Sequence, residues 1–509
     1  MVMNRADMPV QAAGRQELPL NPARAGLAGH TFRRVLETAF IIAIDLLGLA
    51  ASFSLAILVR TQVLPALSTL FPPKLPDELV ASLWWLQGIT LGFFAYEGLY
   101  TTRLPFWREF KQLVKTITLV FLVVLAIVSL AKMSNQISRT VIVITYLFCL
   151  VILPVSRYAG KIFLARLGLW RQRVLLLGAG KTGELVARAI SRDPYLGYEV
   201  AGFLEDDPRK KYKTFTLKGR TNIRVLGGFN DSREVMERLG VHQVIVAAPG
   251  MPAQELVQLV NRLQREAESV LVIPDLFGVP VNSAEIDYFF EEQVLGFRVR
   301  NNLASPVNTF LKRAFDLAVG SVILLISAPL MAAIALAVKL DSPGPVIFAH
   351  RRIGRGGREF KCYKFRTMVV NAEAVLQEYL RKDPALRAEW ERDFKLKNDP
   401  RVTRVGRFLR KTSLDELPQI FNVLKGEMSL VGPRPIIRKE VLRFGPYIND
   451  FYLVRPGITG LWQVSGRNDI DYPERVRLES WYVHNWSLWL DIIILIRTVG
   501  VVLARRGAY

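Results

Sequence analysis

Apolar residues are concentrated in four long runs within the first third of the chain, and polar segments separate them. The runs cover residues 36–59, 79–98, 113–131 and 140–155. Each approaches the ~20 residues that a helix needs to cross the hydrocarbon core of a bilayer. The pattern predicts a four-helix transmembrane bundle over residues 35–165, preceded by a disordered cytosolic tail over residues 1–34.

Basic residues around these runs predict the orientation of the bundle. Arg and Lys are frequent before the first run, between the second and third, and after the fourth, whereas the other two loops hold few. The positive-inside rule then places both ends of the bundle in the cytosol. We interpret the bundle as an anchor, and a transport pathway is the alternative to test at the acidic residues Asp45 and Glu97.

After Arg173 the pattern changes to short apolar runs that alternate with amphipathic segments. Predicted strands cover residues 174–177, 198–204, 244–248 and 270–273, and the first strand leads into a G-x-G-x-x-G sequence formed by Gly178, Gly180 and Gly183. This order predicts a Rossmann-like α/β domain over residues 170–300.

The three glycines define a candidate nucleotide loop. Such a loop brings backbone amides to a pyrophosphate, and an acidic residue within 205–207 would hold a ribose. The alternative is a domain that keeps the fold without binding a dinucleotide. No hydride-transfer motif follows in the sequence, so we favour a regulatory or structural role over redox catalysis.

A fifth apolar run, residues 317–338, is flanked by basic residues on both sides. Lys312 and Arg313 precede it, and Lys339 follows it. Since both flanks favour the cytosol, and Pro329 with Ser327 lies near its middle, the pattern predicts a re-entrant membrane helix over residues 311–340 that bends and returns to the same face. A plain kinked span is the alternative.

Composition agrees with a chain that is part membrane protein and part soluble protein. Hydrophobic residues make up 51% of the chain and charged residues 22%, with a net charge of +22. That charge requires anionic partners, which are membrane lipids or phosphorylated substrates. Aromatic residues do not alternate with the basic runs as in nucleic-acid modules, so we expect no nucleic acid.

The cations are concentrated after His350. Four arginines in this part are candidate ligands for substrate phosphate: Arg366, Arg410, Arg434 and Arg455. Guanidinium groups bind phosphate oxygens in pairs, and the Gly-Pro-Arg-Pro turn would fix the direction of Arg434.

Asp415 and Glu416 lie among these cations, at a predicted helix start. The helix dipole would keep Asp415 ionised, and an ionised carboxylate beside bound phosphate can attack phosphorus. Glu416 could assist with a proton or bind Mg²⁺ together with Asp415. The alternative is a capping box formed by Ser413 and Glu416, without chemistry.

Three motifs in this part resemble the bacterial sugar transferases, the monotopic polyprenyl-phosphate phosphoglycosyl transferases. They are RKTSLDELPQ at residues 410–419, VGPRP at 431–435 and RPGITG at 455–460. The resemblance covers residues 305–509, and the whole layout is similar to the long form of the family. It implies a mainly helical α/β catalytic domain that contains the re-entrant helix with Pro329.

The family implies transfer of a hexose 1-phosphate from a UDP-hexose to undecaprenyl phosphate, through a covalent intermediate on Asp415. Glu416 would be its dyad partner and Mg²⁺ the cofactor. The reaction would be the first membrane step of O-antigen, capsule or exopolysaccharide synthesis, on the cytosolic face of the bacterial inner membrane. Galactose is favoured over glucose because the segment after Trp481 and residues 506–509 resemble galactose-transferring members.

Several points stay open at this stage. Family members usually have Asp where this chain has Glu479, and a homodimer is compatible with the resemblance. The rival interpretations are a membrane-anchored nucleotide-binding regulator and a Rossmann oxidoreductase or epimerase. The apolar stretch 488–504 is predicted as a helix that lies at the membrane interface or is buried in the core.

Overall fold

The computed structural model describes residues 27–71, 84–130, 138–210, 214–217, 220–274, 285–289, 294–298, 302–382, 399, 401–466 and 470–503. The chain divides into two compact units, residues 1–275 and 276–509.

Apolar helices form where the first four runs predict them. They are α1 (Leu27–Leu58, continued by a π-helical turn Val59–Val63 and by α2, Leu64–Leu67), α3 (Trp84–Tyr96), α4 (Phe106–Leu130) and α5 (Arg139–Arg166). The segments Arg33–Leu67, Phe106–Leu130 and Arg139–Arg166 are long and apolar enough to cross a membrane. The predicted start of the second run, residues 79–83, lies outside the described residues.

The first helix begins earlier than the sequence pattern suggests. Residues 27–34 were expected to belong to a disordered tail, but α1 already includes them. The last proline of the tail is Pro22, so no proline interrupts the backbone hydrogen bonds after it. Residues 1–26 of the predicted tail lie outside the described residues.

Charged groups inside the helical bundle are paired. Arg157, 1% exposed, donates to Asp45 at 2.7 Å and to Glu109 at 2.9 Å. Lys161 donates to Glu109 at 2.5 Å, and the Tyr100 hydroxyl donates to Asp45 at 2.8 Å. Two cations and two carboxylates therefore neutralise one another, as buried charges require. This favours the anchor over a transport pathway at Asp45.

A six-stranded sheet follows, in the spatial order β3-β4-β2-β1-β5-β6. Its strands are β1 (Gln172–Leu177), β2 (Tyr198–Leu204), β3 (Thr214–Leu217), β4 (Arg220–Gly227), β5 (Gln243–Val246) and β6 (Ser269–Val272), and the helices are α6 (Lys181–Arg192), α7 (Ser232–Leu239) and α8 (Ala253–Glu266). All neighbours pair in parallel except β3 with β4.

Both faces of this sheet are buried, as a doubly wound fold requires. Leu175 and Leu177 pack into one apolar cluster, whereas Val174 and Leu176 pack into another. Alternate residues of β1 thus serve opposite faces. The predicted Rossmann-like fold is confirmed.

The glycine loop of this domain is needed for close packing. A Cβ on Gly183 would lie 2.0 Å from the carbonyl oxygen of Gly178, whose own φ is +107°. Glu205, one of the acids expected to hold a ribose, instead accepts a hydrogen bond from the amide of Ala179 at 2.8 Å. These contacts favour the structural role of the loop.

The second unit is mainly helical. Its strands are β7 (Glu285–Phe289), β8 (Val294–Arg298), β9 (Ile347–Ile353), β10 (Glu359–Phe365), β11 (Ser429–Val431) and β12 (Gly457–Thr459). Its helices are α9 (Pro306–Asp341), α10 (Ala372–Lys382), α11 (Arg404–Thr412), α12 (Gln419–Lys425), α13 (Ile448–Leu453), α14 (Leu461–Ser465), α15 (Tyr472–His484) and α16 (Leu488–Leu503).

Helix α9 runs through Pro329 as one element of 36 residues. The hydroxyl of Ser327 donates to the carbonyl of Ile323 at 2.7 Å, close to the point where the proline removes a helix donor. Leu325 is 77% exposed and Ile326 75%. The middle of the helix therefore presents an apolar surface.

Both ends of α9 pack on the same unit. Near its start, Lys312 donates to Asp491 of α16 at 2.7 Å. Near its end, Asp341 accepts from the amide of Val405 at 3.0 Å. Asp491 is fully buried, so α16 packs against the core with at least one face.

Candidate active site

A cleft of about 570 Å³ lies in the second unit, between the β9–β10 hairpin, the turn after α11, the loop after β11 and helix α14. Its lining includes Lys364, Arg366, Thr367, Arg410, Ser413, Asp415, Glu416, Arg434, Trp462 and Gln463. The volume is within the usual range for a small-molecule site.

A tight turn presents the two carboxylates to this cleft. Helix α11 ends at Ser413, which has a left-handed backbone with φ +58°, and residues Leu414–Glu416 form a 3₁₀ turn. The Ser413 side chain makes no capping hydrogen bond. The capping-box alternative is therefore wrong, because the Glu416 amide donates to the backbone carbonyl of Ser413 at 3.3 Å and not to its hydroxyl.

Asp415 is only 8% exposed and shares a cation with Glu416. The ammonium of Lys364 lies 2.6 Å from Glu416 Oε1 and 3.6 Å from Asp415 Oδ2. Burial raises the pKa of Asp415, while the charges of Lys364 and Arg410 lower it and that of Glu416 raises it. The cations Lys364 and Arg410 therefore favour the ionised carboxylate against the effect of burial, and the contribution of a helix dipole stays a prediction.

Three of the four predicted arginines line the cleft, and Arg410 and Arg434 are two of them. Arg410 donates through Nε to the Thr367 hydroxyl at 2.9 Å, which directs its guanidinium along the cleft wall. Arg434 is exposed and lies over the ring of Trp462, 5.8 Å from its centroid. Both cations are therefore placed to meet an anion in the cleft.

The other two predicted arginines have different partners. Arg366 lines the cleft, but its guanidinium donates to the carbonyls of Ser342 at 2.6 Å and Pro343 at 2.8 Å. It thereby fixes the segment after α9. Arg455 does not line the cleft, and its Nε donates to the carbonyl of Gly426 at 2.8 Å.

Glu479 supports the loop that carries Arg434. Its carboxylate, 4% exposed, accepts from the Arg434 amide at 3.2 Å and from Arg475 Nε at 3.2 Å. Burial raises the pKa of Glu479, and Arg475 opposes this effect. Its position in the structure is behind the loop, so it holds Arg434 and does not line the cleft itself.

The two carboxylates fit a Mg²⁺ ion whose other ligands come from a substrate phosphate and water. Mg²⁺ commonly takes one or two protein carboxylates and completes its shell with phosphate and water. Asp415 and Glu416 supply that number, and the Lys364 ammonium already lies between them as a cation. Within the described part of the chain, no cluster of three or more His, Cys, Asp or Glu residues forms a protein-only metal site.

The remaining predicted residues lie elsewhere. Ser327 and Pro329 are in the apolar middle of α9, and Gly178, Gly180 and Gly183 belong to the α/β domain of the other unit.

Comparison with known proteins gives two family matches. Residues 307–505 match the family described as bacterial sugar transferase, and residues 96–274 match one described as a CoA-binding domain.

Full-length relatives agree with the first match. The undecaprenyl-phosphate galactose phosphotransferase of Salmonella typhimurium is 43% identical over 413 residues, which is 81% of this chain and 84% of the relative. The UDP-galactose-lipid carrier transferase of Erwinia amylovora is 40% identical over 482 residues, 94% and 99% of the two chains. A UDP-glucose:undecaprenyl-phosphate glucose-1-phosphate transferase of Escherichia coli is 35% identical over 360 residues, 69% and 72%.

The relatives are named phosphotransferases, which makes this chain a phosphotransferase, and its helices are long and apolar enough to cross a membrane. The chain belongs to the bacterial sugar transferase family, whose members transfer sugar phosphates in polysaccharide biosynthesis. The transferase prediction is thereby confirmed over the regulator and oxidoreductase interpretations.

Proposed function

We propose that this protein transfers hexose 1-phosphate from a UDP-hexose to undecaprenyl phosphate, forming undecaprenyl-diphospho-hexose and UMP. The observation that carries the proposal is the position of Asp415 in one cleft with Lys364, Arg410 and Arg434. Galactose is the favoured hexose, because two relatives named for it are 43% and 40% identical, whereas those named for glucose are 33–35% identical.

In the first step, a carboxylate oxygen of Asp415 attacks the sugar-linked phosphorus. The bond from this phosphorus to the bridging oxygen breaks, UMP leaves with the electron pair, and an acyl phosphate forms on Asp415. Arg410 and Arg434 stabilise the charge that develops on the phosphate oxygens. The charge of Lys364 lowers the pKa of the buried Asp415 against the effect of burial, and it thereby favours the ionised, nucleophilic carboxylate.

In the second step, a phosphate oxygen of undecaprenyl phosphate attacks the same phosphorus. The bond between phosphorus and the Asp415 carboxylate breaks, which regenerates the enzyme and completes the diphosphate link. Glu416 lies next to Asp415 and would position the acceptor through its charge or receive a proton. Mg²⁺ held by Asp415 and Glu416 would supply charge that offsets the phosphates.

The path of α9 determines on which side this chemistry takes place. A straight helix of 36 residues would be about 54 Å long at 1.5 Å per residue, well beyond the ~30 Å hydrocarbon core. Yet both ends contact this unit, through Lys312 with Asp491 and Asp341 with Val405. These contacts support a re-entrant helix, with the cleft on the cytosolic face of the inner membrane. A homodimer stays a prediction.

The test is UMP release from UDP-galactose by the detergent-purified full-length protein, with undecaprenyl phosphate and Mg²⁺. Asp415→Asn is compared with the control variant Asp471→Asn. The Asp471 side chain caps α15, because it accepts a hydrogen bond from the Glu474 amide. Asparagine caps a helix as well as aspartate does, so the control should keep its activity.

We expect lipid-dependent release by wild type and Asp471→Asn, and loss of release in Asp415→Asn. Equal release by Asp415→Asn would exclude it as the nucleophile. Release from UDP-glucose alone would change the hexose and leave the reaction class in place.

A further inference from the structure

Arg455 belongs to the RPGITG motif, but the catalytic cleft does not use it. It lines a second depression of about 570 Å³ together with Arg355 and Arg358, at the glycine-rich turn after β9. We call these three side chains and the surface between them the arginine depression. It lies within the second unit and shares no lining residue with the catalytic cleft.

A fourth arginine adds to the positive charge of this surface. Arg313 donates to the carbonyls of Val423 at 2.6 Å and Leu424 at 2.8 Å, at the end of α12. Burial first, and then the like charges of Arg355 and Arg313, lower the pKa of Arg455, whereas the charge of the buried Asp316 opposes them. The arginines are thus close enough to repel one another.

No carboxylate within the described residues forms a salt bridge with any of these four arginines. Of the two acids in the lining, Glu359 lies 3.8 Å from Arg351 and 3.7 Å from Arg438, and Glu427 accepts from the Asn422 amide at 2.6 Å. Crowded guanidinium groups that make no salt bridge to a carboxylate are stabilised by an external anion, and phosphate fits their forked donors.

The depression adjoins the start of the membrane helix. Arg355 and Arg455 also line a small neighbouring pocket with Leu303, which lies just before α9, and with Thr309 and Lys312, which lie in its first turns. In the same first turns, Val307 is 65% exposed, Phe310 71% and Leu311 45%. Basic side chains beside an exposed apolar helix surface are typical of a site at the lipid headgroup level.

We propose that the arginine depression binds the phosphate of an anionic phospholipid headgroup, whose acyl chains lie along the first turns of α9. This binding goes beyond the proposed transfer reaction and requires no turnover. It would fix the depth at which α9 enters the membrane.

The test measures lipid binding by native mass spectrometry of the full-length protein in detergent, titrated with phosphatidylglycerol. Arg355→Gln combined with Arg358→Gln removes two cations whose side chains are exposed. Arg192→Gln combined with Arg238→Gln, both exposed on the α/β domain, removes the same charge elsewhere. Each arginine near anionic headgroups strengthens lipid binding about fivefold. We therefore expect the dissociation constant of the first bound lipid to rise roughly 25-fold in the Arg355→Gln/Arg358→Gln variant and to stay unchanged in the control variant.

Three results would overturn the proposal. The first is unchanged phosphatidylglycerol binding by the Arg355→Gln/Arg358→Gln variant at an unchanged unfolding midpoint. The second is equal binding of zwitterionic phosphatidylcholine or of soluble glycerol phosphate, which would remove the anionic lipid from the assignment. The third is displacement of bound phosphatidylglycerol by an equimolar amount of undecaprenyl phosphate, which would assign the depression to the acceptor substrate.

Discussion

Replacing Asp491 by Asn should destabilise the catalytic unit strongly. Asp491 is fully buried and accepts from Lys312 at 2.7 Å, from the Tyr482 hydroxyl at 2.7 Å and from Trp486 Nε1 at 3.1 Å. The substitution leaves the Lys312 ammonium buried with the Val431 carbonyl at 3.0 Å and a carboxylate at 3.5 Å. Removing one member of a buried ion pair costs about 3–5 kcal/mol of unfolding free energy. Because Asp316 remains near Lys312 as a second carboxylate, we expect a loss at the lower end of this range, about 3 kcal/mol.

The assay is thermal unfolding of the purified protein, followed by intrinsic fluorescence. For a unit of this size about 3 kcal/mol corresponds to a decrease of roughly 6–12 °C in Tm. Exchanging all three charged groups, Lys312→Met with Asp491→Leu and Asp316→Asn, should recover part of the loss because no charge is then left unpaired. A single Asp491→Asn variant that unfolds within a degree or two of wild type would refute the reasoning.

Two further predictions concern the nucleophile and the glycine loop. Because Lys364 lowers the raised pKa of Asp415, UMP release should fall as the pH drops through that pKa, and Lys364→Met should move the acid limb of kcat/KM to higher pH, whereas the exposed Lys411→Met should not. An unmoved limb would contradict the assigned role of Lys364. In Gly180→Ala the added Cβ meets open space, so this variant should keep both its stability and its UMP release. In Gly183→Ala the added Cβ lies 2.0 Å from a backbone oxygen, so this variant should lose about 1–3 kcal/mol of unfolding free energy. Equal thermal unfolding of the two variants would show that the loop is not tightly packed.

The membrane helices and the α/β domain could be predicted because their determinants are local in sequence. Run length and basic flanks predict the apolar helices, and strand-length runs around Gly178 predict the doubly wound sheet. The beginning of α1 was harder to predict, because nothing in the sequence between Pro22 and Leu27 distinguishes a polar extension of the helix from a tail. The pairing of Asp45 with Arg157 also could not be predicted, since 112 residues separate them.

For the candidate site, the sequence predicts the residue types better than the geometry. The cationic segment identified Asp415 and its surroundings, but it did not distinguish Lys364, which contacts the carboxylates, from Arg366, which binds the segment after α9. The two are close neighbours at the end of β10, and the tertiary fold decides which one meets the carboxylates. Arg455 illustrates the same limit, since its partner is the Gly426 carbonyl of a distant turn.

The most direct test of the central claim is the detection of the covalent intermediate on Asp415. The protein is incubated with UDP-galactose and Mg²⁺ without undecaprenyl phosphate, and its intact mass is measured. We predict a mass increase of a single hexose phosphate that maps to the peptide containing Asp415, stoichiometric UMP release, and neither in Asp415→Asn. The opposite result has two parts: the wild-type protein stays unmodified yet releases UMP once undecaprenyl phosphate is added, and Asp415→Asn is equally active. This result would contradict a covalent intermediate on Asp415.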